Sequence, residues 1–69
     1  MTKVRAPDGY EGVMFFDDAI REYRVAYRHV GSTWWTNCWR TAGGRHISLD
    51  ERQARAENVI ITQLEVKNA

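Results

Sequence analysis

The segment from Arg21 to Arg45 constrains the fold most, because Gly31-Ser32 divides it into two halves that suit neighbouring strands. The second half, Thr33 to Thr41, is rich in the aromatic and β-branched residues that strands favour. In Gly31-Ser32 the glycine comes first, which is the position where a two-residue type II′ turn favours glycine. We therefore predict a β-hairpin that turns at residues 31–32.

The first half, Ala19 to Val30, also fits a helix. Four apolar residues recur at the spacing of one helix face: Ile20, Tyr23, Tyr27 and Val30. Gly31 would suit the C-terminal end of such a helix. The strand is favoured because the aromatic strand beyond the turn needs a neighbour to pair with. In the helical alternative, the three tryptophans would belong to the core instead.

The other elements complete an α+β pattern. The apolar run Gly12 to Phe16 predicts a strand that ends at Asp17-Asp18. Ser48 and Glu51 have the spacing of a capping box, which predicts a helix starting near residue 48. That helix either continues to about residue 65 or stops near Asn58, before a final strand at 59–66. The strand is favoured, since three β-branched residues in a row lower helix propensity. The predicted fold is a small antiparallel sheet packed against one helix.

The length of 69 residues suits one small domain. Residues 1–9 contain the single proline and few apolar side chains, which predicts a flexible arm before a domain over 10–69. No apolar run is long enough to span a bilayer or act as a signal peptide. The lone Cys38 excludes an internal disulfide. We expect a soluble, cytoplasmic protein with no membrane partner, and a core this small makes a homodimer possible.

The predicted turn fixes which side chains share a face of the hairpin. Counting outward places Arg28 opposite Trp35 and Arg24 opposite Trp39. Since side chains alternate along a strand, this outward face also holds Ala26 and Asn37. The opposite face is predicted to point into the core and comprises Tyr23, Val25, Tyr27, His29, Trp34, Thr36 and Cys38.

Positive charge is concentrated in the same segment. Residues 21–45 carry five arginines and a single acidic residue, Glu22, whereas acidic residues outnumber basic ones on either side. Arginine and tryptophan are enriched at binding hot spots, and they also serve nucleic-acid surfaces. The candidate binding residues are Arg24, Arg28, Trp35, Trp39, Arg40 and Arg45. The alternative is structural: the arginines shield the tryptophans by cation–π contact.

Catalytic and metal sites have little support in the sequence. His29, Cys38 and His46 match no zinc-ligand spacing, and a lone cysteine is usually a small buried hydrophobe. Asp17-Asp18 is more typical of a turn than of a carboxylate pair. We expect no catalytic residue, metal or cofactor.

Two charged segments near the predicted helix also have ordinary explanations. Gly43 to His46 precedes the capped helix, as an anion-binding loop would, but a plain connector is favoured. The helix positions Glu51, Arg52, Arg55 and Glu57 are expected to form a solvated charged face.

The order of hairpin, strand and capped helix over residues 12–60 resembles the small three-stranded-sheet DNA-binding domains of some integrases and plant transcription factors. Motifs specific to those families are absent, so no binding residue is transferred. Short chains without catalytic motifs are also common among phage and mobile-element proteins that inhibit a host factor.

The positive charge of residues 21–45 is modest for a DNA-binding domain, which favours docking on another protein, such as one that handles nucleic acid. Direct nucleic-acid binding by the same residues is the first alternative. A structural homo-oligomer that pairs through strand 59–66 is the second.

Overall fold

A computed structural model describes all 69 residues as one antiparallel sheet covered on one face by one helix. The strands are β1 (Thr2–Val4), β2 (Tyr10–Asp17), β3 (Glu22–His29) and β4 (Thr36–Thr41), and the helix is α1 (Leu49–Lys67). The strands lie in the order β1-β2-β3-β4, so each pairs with its neighbour in sequence. The predicted α+β class, with one helix starting near residue 48, is confirmed.

The long central hairpin pairs β2 with β3 along their whole length, from Tyr10 opposite His29 to Asp17 opposite Glu22. The turn between them is fixed by Asp17, whose carboxylate accepts a hydrogen bond from the Ala19 N–H. Arg21 takes a positive φ of 58° to complete the reversal. The strand predicted at Gly12 to Phe16 is confirmed, and the strand rather than the helix forms within residues 19–30.

The loose arm predicted over residues 1–9 is wrong for Thr2–Val4. These residues pair with β2 and form an edge strand of the sheet. Val4 is buried in the core beneath the helix. A three-residue strand is too short for its alternation to be recognised in the sequence, and tertiary packing decides its conformation.

The connection between β3 and β4 is longer than the predicted two-residue turn. β3 ends at His29 and β4 begins at Thr36. The Ser32 N–H donates to the His29 carbonyl oxygen (2.9 Å), and Gly31 takes a φ of +88°. The turn therefore has Val30 and Gly31 at its centre, with glycine at the position where a type II turn needs a positive φ. Gly31-Ser32 marks the reversal but is displaced by one residue from its centre.

The predicted register holds only at the start of β4. Tyr27 faces Thr36 and Ala26 faces Asn37, as counting from the turn predicts. A bulge then shifts the pairing, so that Arg24 faces Thr41 and not Trp39. The bulged backbone is satisfied from the helix, since the Trp39 N–H donates to Gln63 Oε1 (3.1 Å). A bulge of this kind depends on a tertiary partner and leaves no clear signal in the strand itself.

The helix begins as predicted, with Ser48 Oγ accepting from the Glu51 N–H (3.2 Å). It does not stop at Asn58, and the favoured final strand at 59–66 is wrong. The alternative of a helix reaching about residue 65 is confirmed. The reason is packing: Ala56, Val59, Ile60 and Leu64 form one face that buries itself on the sheet. That burial outweighs the modest propensity penalty of the β-branched residues.

Two polar side chains of α1 are buried with this face, Gln63 and Arg52. Arg52 was predicted to be solvated, but it is only 8% exposed. Its guanidinium stacks on the Tyr23 ring, with Cζ 4.0 Å from the ring centroid. Its Nη2 donates to the carbonyl oxygens of Gly44 (3.3 Å) and Ile47 (3.0 Å), so it anchors the loop that leads into the helix.

No helix in the structure combines the length and the apolar character that a membrane crossing requires.

Candidate functional site

The face of the sheet opposite the helix is uncovered. Alternation along β2 and β3 sends Met14, Val25 and Tyr27 under the helix and their sequence neighbours to the other side. We call that other side the open sheet face. Its members, given by the register of the central strands with β4, are Glu11, Val13, Phe15, Asp17, Glu22, Arg24, Ala26, Arg28, Asn37 and Thr41, with Trp35 lying over Arg28.

Arg28 is held from two sides on the open sheet face. Its Nε and Nη2 donate to the Oε2 of Glu11, at 3.2 and 3.1 Å. Its Cζ lies 4.4 Å from the centroid of the Trp35 ring, within cation–π range. The structure therefore brings together the predicted Arg28–Trp35 pair. Trp35 remains 38% exposed, so its ring is available to a partner.

Arg24 and Trp39 do not form the predicted pair, because the bulge in β4 carries Trp39 out of register. Arg24 instead lies beside Asp17, with Nη1 3.6 Å from Oδ2. Trp39 follows the buried Cys38 and is 55% exposed at the edge of the sheet. Two apolar residues at the centre of the open sheet face, Val13 and Phe15, are half-buried.

The last two predicted binding residues lie apart from this centre. Arg40 is exposed in the bulge next to Trp39. Arg45 lies on the loop before α1, where its Cζ is 3.9 Å from the centroid of the Phe16 ring. Phe16 contacts Tyr23 on the helix side of the sheet, with ring centroids 5.1 Å apart. Arg45 is therefore not part of the open sheet face.

The sequence also misassigned Trp34 and His29, which were expected to face the core. Both are exposed, because the β3–β4 pairing stops at Tyr27 and Thr36, leaving His29 at the end of β3 and Trp34 in the connection before β4. They line a groove of about 330 Å³ at one end of the sheet, which the sequence did not reveal. The groove lies between the β3–β4 connection and the last turn of α1, which contributes Lys67. Only the pairing of distant elements creates it.

Cys38 lies in the core, whereas His29 and His46 are both exposed. It is a free thiol with almost no exposed surface. Burial raises the pKa of the Cys38 thiol to about 11, and the positive charge of Lys67 offsets part of that rise. No three histidine, cysteine or carboxylate side chains are grouped as metal ligands would be.

No family model matches this chain, and neither a curated protein nor a solved structure was found to be similar to it.

Proposed function

We propose that this chain is a non-enzymatic binding protein that docks on another protein through the open sheet face. The face offers the partly exposed ring of Trp35 and the half-buried side chains of Val13 and Phe15, with the exposed Trp39 at its β4 edge. Aromatic side chains in such a setting are typical anchors of protein interfaces. A cytoplasmic accessory or inhibitory protein, of the kind that phages and mobile elements encode, fits this size and surface.

The observation that carries the proposal is the internal pairing of the arginines. Arg28 is bonded to Glu11 and Arg24 lies beside Asp17, so both cations of the face have carboxylate partners within the sheet. Phosphates would have to compete with these carboxylates. A protein partner, by contrast, can pack on the tryptophans and use the fixed charges for orientation, since charge complementarity supplies specificity more than affinity.

The total surface of the chain is large enough for one such interface. A standard protein interface buries about 800 Å² on each partner. The whole chain exposes 4722 Å², so an interface of that size would occupy about a sixth of its surface.

Nucleic-acid binding remains the second candidate because Arg40, next to Trp39, has no carboxylate within ion-pair distance. That edge could bind a phosphate and stack a base. Binding of this type weakens steeply with salt. The homo-oligomer built on a strand at 59–66 loses its basis, since those residues are helical and three of their apolar side chains, Val59, Ile60 and Leu64, are buried against the sheet.

The experiment is affinity capture from the native host, followed by mass spectrometry, with four baits. We expect the wild-type chain to capture a discrete protein, and Trp35→Ala and the Trp35→Ala/Trp39→Ala double variant to lose it. Trp34→Ala is the matched control: it removes an exposed tryptophan from another surface and should keep the partner. Circular dichroism establishes that each bait is folded.

Retention of the partner by the folded double variant would refute the open sheet face as the docking surface. Gel-mobility shifts with single- and double-stranded DNA and RNA at low salt test the second candidate. A salt-sensitive complex that depends on Arg40 would favour nucleic acid over protein.

A further inference from the structure

The groove at the end of the sheet shares Arg28 with the open sheet face but is otherwise lined by different residues, and it is a second candidate site. Its deepest residues are Tyr27 and Leu64, both buried, from β3 and α1. Its volume of about 330 Å³ is at the lower end of the range for small-ligand sites. We call it the end groove.

One wall of the end groove is a fixed stack of rings. Tyr10 lies against His29 with ring centroids 4.5 Å apart and planes inclined by 35°. Tyr10 also meets Tyr27 edge-on, with centroids 5.9 Å apart. These three residues stand on the paired ends of β2 and β3, so the wall is held by the sheet.

The other wall carries the most exposed tryptophan of the chain. Trp34 lines the groove and is 82% exposed, which is unusual for so large an apolar ring. Its backbone is fixed, because the Trp34 N–H donates to Ser32 Oγ (3.1 Å). A ring that is exposed but attached to a fixed loop has little role in the core. It presents a π face for stacking.

The charge in the end groove is positive. No acidic residue lines it. Lys67 Nζ lies 5.8 Å from the centroid of the Tyr27 ring and has no carboxylate within ion-pair distance. Arg28 also lines the groove, but Glu11 already engages its guanidinium. Lys67 is therefore the cation that is free to meet a ligand.

We infer that the end groove binds a nucleotide unit, with the base stacked on Trp34 and the phosphate at Lys67. Ser32, Thr36 and Asn68 line the groove and supply neutral hydrogen-bonding groups for the base and the sugar. Aromatic side chains on two walls, neutral polar groups and one uncommitted cation match a flat ring carrying a single anionic group. This chemistry is shared by a free mononucleotide and by the terminal nucleotide of a single strand.

The test is a nuclear magnetic resonance titration of the full chain labelled with ¹⁵N. The probes are AMP and UMP, with adenosine and inorganic phosphate as their separate parts. Binding of the nucleotides should shift the Trp34 indole N–H and the amides around Tyr10, His29 and Lys67. Adenosine and phosphate should each bind at least about tenfold more weakly than AMP. A single-stranded oligonucleotide with and without a terminal phosphate distinguishes a strand end from a free nucleotide.

Two substitutions separate the base from the phosphate. Trp34→Ala should weaken AMP binding at least about fivefold, the lower end of what one stacked base contributes. Leu49→Ala, which removes an exposed apolar side chain at the opposite end of α1, should leave AMP binding unchanged. Lys67→Gln should weaken AMP binding and leave adenosine binding unchanged.

Absence of binding at millimolar nucleotide would overturn the inference, as would equal binding of phosphate alone. Unchanged AMP affinity in folded Trp34→Ala would overturn it too. None of these outcomes bears on the open sheet face, because its proposed docking residues, Trp35 and Trp39, do not line the end groove.

Discussion

The two faces of the sheet use the same strands for different purposes. On β3, Tyr23, Val25 and Tyr27 lie under the helix, whereas Arg24 and Arg28 alternate with them on the open sheet face. The covered face stabilises the folded chain by burying apolar surface. On the open sheet face, carboxylates of the neighbouring strand hold the two arginines in place. The difference teaches that one strand can divide its residues, position by position, between core packing and a surface of paired charges.

The largest effect on stability should come from truncating Ile60, an α1 residue that is fully buried between the helix and the covered face of the sheet. Ile60→Ala removes buried methyl and methylene groups and leaves a cavity, which typically costs about 2–5 kcal/mol. A domain of this size has a total stability of only about 3–10 kcal/mol. We expect a large drop in the urea midpoint or complete unfolding. A loss below about 1 kcal/mol would contradict the described packing.

A smaller loss should follow from removing the buried cation of the covered face. Arg52→Ala deprives the Gly44 and Ile47 carbonyl oxygens of their donor and removes the stack on Tyr23. We expect the free energy of unfolding to fall by about 1–3 kcal/mol in urea titrations. The matched control is Arg55→Ala, which breaks only an exposed ion pair with Glu51 and should cost less than about 0.5 kcal/mol. Equal losses in the two variants would show that Arg52 is not a structural anchor.

A still smaller change in stability should accompany Trp35→Ala on the open sheet face. The cation–π contact with Arg28 contributes about 0.5–1 kcal/mol at an exposed site. We expect a loss in that range by urea titration, together with loss of partner capture. A loss of more than about 2 kcal/mol in the free energy of unfolding would show that Trp35 acts as a core residue and that the two faces do not differ as described.

The smallest effect at neutral pH concerns Cys38 on the covered face. Its pKa of about 11 keeps the thiol protonated in the folded chain, so a thiol reagent should label native protein slowly and urea-unfolded protein rapidly. The unfolded thiol ionises near its ordinary pKa of 9.0, below the folded value. Stability should therefore be unaffected below pH 9 and fall between about pH 9 and 11. Comparing wild type with Cys38→Ala isolates this contribution from other groups that titrate there, and identical pH dependence in both would contradict it.

What the sequence could predict depended on local signals. Ser48 and Glu51 located the start of the helix, and the aromatic segment after Gly31 located a strand, since capping and strand propensity act within a few residues. The second half of α1 was predicted as a strand and β1 as a flexible arm. Both were misassigned because tertiary burial overrode local propensity. On the open sheet face, the Arg28–Trp35 contact could be predicted because both residues lie close to the turn. The position of Trp39 could not, because it lies in a bulge that Gln63 of the helix supports.

The bulge in β4 has a consequence for how copies of this chain meet one another. An exposed sheet edge is a template on which a second chain can add strands, and this is a common route to aggregation. Here one edge is only three residues long, and the other is interrupted where the Trp39 amide turns to Gln63. Neither edge offers a regular row of free amides and carbonyls. Two tryptophans are thus displayed on an uncovered sheet whose edges are poor templates for strand addition by a second copy.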